Sequence, residues 1–91
     1  MQVNTNQKSI AEITNRYLES ITLKTFIEDL GIQTSRQSVW QWKSGESKPS
    51  LETLKKVITN PTAASWAREW ARECMMAIMV EYGFDPKDKV I

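Results

Sequence analysis

Four side chains within residues 36–41, Arg36, Gln37, Trp40 and Gln41, are of types that read the edges of nucleic-acid bases. Arginine bonds a guanine edge at two points, glutamine does the same to adenine, and an apolar ring packs on a thymine methyl. They lie in "SRQSVWQWKSGESKPS", residues 35–50, a helix-length run closed by a glycine and a proline. Stepping about 100° per residue from Arg36 gathers Ser38, Val39 and Trp42 on one side. Arg36, Gln37, Trp40, Gln41 and Ser44 fill the other. Val39 and Trp42 are therefore expected inside, and Trp40 outside.

Groups suited to phosphate follow the base-reading types. Lys43, Ser44, Ser47 and Lys48 offer ammonium and hydroxyl donors, which position a protein on a duplex without specifying sequence. From Thr34 to Ser50, three cations (Arg36, Lys43, Lys48) stand against Glu46 alone, a local +2 in a chain of net charge +1. A polar outward face also suits a helix that is merely solvated, so the order of the surrounding elements decides between the two. Trp40 has its own alternatives. It packs on a thymine methyl or a sugar, folds over the loop toward Pro49, or fills a pocket on a partner.

The elements that must position these residues read as helices throughout. Ile10, Ile13, Tyr17, Leu18 and Ile21 form a helical stripe, with Ser9 and Glu12 spaced as a capping box. Thr22 precedes Leu23, Phe26, Ile27 and Leu30, a short second helix that Gly31 is placed to stop. Ser35, or else Thr34, caps the third helix, and Gly45 closes it. Pro49 and Ser50 open a fourth, with Leu51, Leu54, Val57 and Ile58 as its apolar face and Asn60-Pro61 as its end. The fifth runs from about Thr62 to Tyr82 and stops at Gly83. No segment alternates with a strand's period of two. The spacing predicts an all-α chain with one domain over residues 9–82, between a polar arm (1–8) and a tail (83–91).

Composition narrows the chemistry. The 91 residues are 41% hydrophobic and 25% charged, the make-up of an ordinary soluble domain. The near-zero net charge spreads no general basic field, so any nucleic-acid contact must rest on local charge. The chain has no histidine and a single cysteine, Cys74. A multi-cysteine metal site and a cysteine–histidine dyad are thereby excluded, and neither a catalytic constellation nor a phosphate-binding loop appears. No metal, no cofactor and no enzymatic activity are expected. The longest apolar run, Cys74 to Val80, is far short of the roughly 20 residues that span a bilayer, and nothing resembles a signal peptide. The expected location is the cytoplasm, away from membranes.

Residues 22–57, "TLKTFIEDLGIQTSRQSVWQWKSGESKPSLETLKKV", resemble the phage-repressor-like helix-turn-helix family, the XRE/Cro or lambda-repressor-like type. The matching pattern is a short helix, a glycine turn, and a helix bearing Ser38-Val39-Trp40-Gln41-Trp42. Gly45 and then Pro49-Ser50-Leu51 follow, and the flanking helices complete the family's five-helix domain. The helix-turn-helix itself covers about residues 22–45. The resemblance implies a DNA-binding regulator whose third helix enters the major groove. It implies base contacts from Arg36, Gln37 and Gln41, and backbone contacts from Ser35, Lys43, Ser44 and Lys48, with Thr34 beside them. Two features depart from the family. The stretch between Gly31 and Val39 is about two residues longer than usual, which extends the turn or starts the third helix earlier. Lys43 stands where many members carry glutamate, so a phosphate contact replaces an ion pair. The same fold with DNA binding lost, as a protein-interaction module such as an antirepressor or assembly factor, is the alternative.

The fifth helix carries Ala63, Trp66, Ala67, Trp70, Cys74, Ala77 and Ile78 on one stripe, enough to complete a core. Ala64, Ala71, Met75, Met76, Met79, Val80 and Tyr82 fall outside it, so "CMMAIMV" is apolar all round. Either the helix is buried more deeply than its stripe implies, or Met75, Met76, Met79, Val80 and Tyr82 form a homodimer interface. Such dimers place two recognition helices about 34 Å apart along DNA. Arg68, Glu69, Arg72 and Glu73 read as a solvated charged face opposite the tryptophans.

Overall fold

A computed structural model describes residues 9–81, which form five helices and, among the described residues, no strand. They are α1 (Ile10–Leu18), α2 (Leu23–Asp29), α3 (Arg36–Ser44), α4 (Leu51–Thr59) and α5 (Ser65–Glu81). The expected arm and tail lie outside the described residues.

Short polar side chains set the helix starts. The Ser9 hydroxyl accepts from the Glu12 amide at 3.1 Å, and the Glu12 carboxylate accepts from the Ser9 amide at 2.9 Å, which completes the capping box. Thr22, Ser35 and Ser50 accept from the amides of Thr25, Ser38 and Thr53 at 3.0–3.1 Å. Each satisfies one of the first-turn donors that a helix leaves without partners. Ser35, rather than Thr34, is thus the cap of α3. The helix ends follow the glycines: Gly31 at φ 72° and Gly45 at φ 85° take the left-handed conformation that closes α2 and α3.

α5 is the spine. It packs against α4 and α1, while α3 packs against α1 and α2. Trp70 sits fully buried at the centre, edge-on to Phe26 (centroids 5.2 Å apart) and stacked on Trp42 (5.7 Å). Its indole N–H donates to the buried Thr14 hydroxyl at 3.0 Å. Phe26, Leu30, Val39, Leu54, Val57, Ala67, Ala71 and Cys74 complete the fully buried set.

Three expectations change. Ala71, placed outside the core stripe, is fully buried, because α1 and α4 both lie on α5 and widen its buried arc. Leu51 is 48% exposed, since at the first turn of α4 the apolar stripe runs past the edge of the core. α5 begins at Ser65, three residues late. The Asn60 carboxamide oxygen accepts from both the Thr62 amide (3.0 Å) and hydroxyl (2.8 Å), which holds that stretch in a turn.

Candidate nucleic-acid interface

α3 shows the two faces that the helical phase requires. Val39 and Trp42 are buried, whereas Arg36, Gln37 and Ser44 are exposed and Trp40 is 53% exposed. The Lys43 ammonium lies 4.5 Å from the centroid of the Trp40 ring, within cation–π range. Trp40 therefore neither enters the core nor stands alone. Arg36 and Gln37 occupy the first turn, the end of a helix that meets bases when it enters a groove end-first.

The remaining candidates are partly engaged. Gln41 is half-buried, and its carboxamide oxygen accepts from the Ser47 hydroxyl at 3.3 Å. Its backbone carbonyl takes the Gly45, Glu46 and Ser47 amides and the Ser44 hydroxyl. Thr34 is half-buried in the lead-in, and the Ser35 hydroxyl is committed to Ser38. Lys48 pairs with Glu81 at 2.5 Å, with both side chains about half exposed. An exposed pair of this kind contributes little to stability and is readily exchanged.

Six residues, Leu30 to Ser35, separate α2 from α3, more than the three or four of a usual helix-turn-helix connection. The extra length lies in the turn, and α3 starts at Arg36. The α4–α5 connection holds this turn in place. Asn60 donates from its carboxamide to the Gly31 carbonyl at 2.6 Å, and the Ala64 amide donates to the Asp29 carbonyl at 3.0 Å. The Trp66 indole N–H donates to the Asp29 carboxylate at 2.9 Å. At the other end of α3, the Asn15 carboxamide donates to the Lys43 carbonyl at 2.8 Å. Asn15, Asn60 and Asp29 escape a reading by periodicity, because their partners lie on distant elements.

The charged face of α5 is less uniform than its sequence suggests. Glu69 and Arg72 pair one turn apart at 3.8 Å, as expected of a solvated surface. Glu73 instead bridges to α1. It accepts from Arg16 at 2.6 Å and from the Tyr17 hydroxyl at 2.9 Å. Burial, then the hydrogen bond to Glu73 and its negative charge, push the Tyr17 phenol up to about 12. Burial, reinforced by Glu73, also pushes the Cys74 thiol well above its ordinary value, which leaves it neutral and unreactive.

At the far end of α5, Met76 is 51% exposed and Val80 37%, while Met75 and Met79 are half-buried. Tyr82 lies outside the described residues. Among the described residues, no helix is long and apolar enough to cross a membrane. Comparison with family models, with curated proteins and with solved structures gave no match.

Proposed function

We propose that the chain is a sequence-specific regulator that binds double-stranded DNA, of the phage- or plasmid-repressor type, with α3 as its recognition helix. The observation that carries this reading is the chemistry of one face. Arg36, Gln37 and Trp40 are turned to solvent while Val39 and Trp42 anchor the same helix to the core. The element order fits a lambda-repressor-like five-helix domain with a longer turn. In this reading Arg36, Gln37, Trp40 and Gln41 meet base edges, and Thr34, Ser35, Lys43, Ser44 and Lys48 meet the backbone. Lys48 exchanges Glu81 for a phosphate. The work is binding alone, without catalysis, metal or cofactor, and takes place in the cytoplasm.

A second copy docks on the C-terminal half of α5 through Met75, Met76, Met79, Val80 and Tyr82, which aligns two recognition helices with successive grooves. Sedimentation in the presence of duplex checks this. Two copies per site are expected, and a monomer at tens of micromolar with and without DNA contradicts it.

A protein-interaction module on the same framework is the second reading, favoured by the exposed apolar side chains Trp40 and Leu51. Binding to random duplex over a salt series separates the two. A phosphate-contacting regulator loses affinity steeply as salt rises, because each neutralised phosphate releases counterions. No binding at low salt favours the module.

A further inference from the structure

We infer that Asn15, on α1, is a positioning residue that sets the tilt of α3 and thereby the sequence discrimination, rather than the affinity, of the proposed DNA contact. The inference rests on the reading of α3 as the recognition helix. The Asn15 carboxamide is half-buried and donates to two carbonyls at 2.8 Å, that of Ala11 in its own helix and that of Lys43 in α3. The Lys43 carbonyl belongs to the last turn of α3, where carbonyls have no partner within the helix. The tail of α3 folds back onto Gln41 instead, so Lys43 is satisfied from another element.

The geometry makes this bond a pin. Val39 and Trp42 anchor α3 by apolar packing, Trp42 stacked on Trp70, whereas a hydrogen bond is directional and fixes one point of the helix. The first turn of α3 is capped by Ser35 from within its own segment, and Arg36 and Gln37 are exposed. The bond ties the C-terminal end of α3 to α1, and the base-reading first turn lies at the opposite end. Seven residues separate Lys43 from Arg36, about 10 Å of helix, so a tilt of about 10° at the pin moves the reading end by about 2 Å. That displacement breaks a bidentate bond to a base edge, while the charged phosphate contacts of Lys43 and Lys48, at or beyond the pinned end, stay in reach. Asn15 also holds the residue whose ammonium lies over Trp40, so its influence extends to the exposed indole.

The test measures affinity for a duplex selected from a random pool and for a scrambled duplex of equal length, over a salt series. Asn15→Ala is expected to lower the selected-to-scrambled ratio about tenfold, with scrambled affinity and salt dependence unchanged. Asn15→Gln keeps the donor on a longer arm and is expected to give an intermediate ratio. It carries the same test if Asn15→Ala fails to fold by circular dichroism. An unchanged ratio in a folded variant, or an equal loss on both duplexes, overturns the inference and leaves the regulator reading standing. A wild-type protein that binds neither duplex at low salt overturns the regulator reading and this inference with it.

Discussion

The indole of Trp70, fully buried against Phe26 and Trp42, donates its N–H to Thr14. Thr14→Val keeps the shape and removes the acceptor, so the indole donor is left unpaired. The expected cost is about 1–3 kcal/mol, read as a lower urea midpoint with unchanged slope. Tyr17 gives a pH signature. Its pKa in the folded protein is raised above the ordinary 10 to about 12, so folding favours the protonated phenol. The associated stability is present in full below pH 10 and is lost as pH rises from 10 through 12. The thermal midpoint of the wild type is expected to fall more steeply over that window than that of Tyr17→Phe. At this scale, opposite fates for Trp40 and Trp42 were legible in sequence, because residues two apart on a helix point apart. Thr14 and Asn15 were not. Each bonds a group dozens of residues away, and such a bond leaves no periodic trace.

Helix identities and most of their ends were legible because capping side chains and left-handed glycines act locally. The two glycines differ in their surroundings. A Cβ on Gly31 would lie 2.6 Å from the Asn60 side-chain carboxamide nitrogen, the group that donates to the Gly31 carbonyl, whereas a Cβ on Gly45 meets only Ala11 at 3.8 Å. Gly45→Ala is expected to cost about 1–2 kcal/mol, for the left-handed backbone alone. Gly31→Ala should cost more, because it also loosens the clamp on the α2–α3 turn. Chemical denaturation of the two variants checks the order, and equal losses would show that the clamp contributes nothing. The late start of α5 follows from the Asn60 side chain, which holds Thr62 in a turn, whereas the misplacements of Leu51 and Ala71 share another cause. A helical wheel knows one helix, whereas burial depends on how many neighbours lie on it and where they stop.

For the whole molecule, the near-neutral charge places the weight of any DNA contact on one short helix and its following loop. Exposed apolar side chains at Trp40 and at the far end of α5 are set on separate elements, which suits a unit that contacts a duplex with one surface and a second copy with another. The length of the α2–α3 turn was visible in sequence. Its attachment to Asn60 and Asp29 depends on tertiary packing and was not. The most direct test of the central claim is sequence selection from a random duplex pool, repeated with Arg36→Ala and Gln37→Ala. A defined site is expected for the wild type. Each variant should relax preference at its own base pair by about 1–3 kcal/mol and leave the other positions unchanged. Retention of the wild-type preference by both variants would contradict the assignment of α3 as the recognition helix.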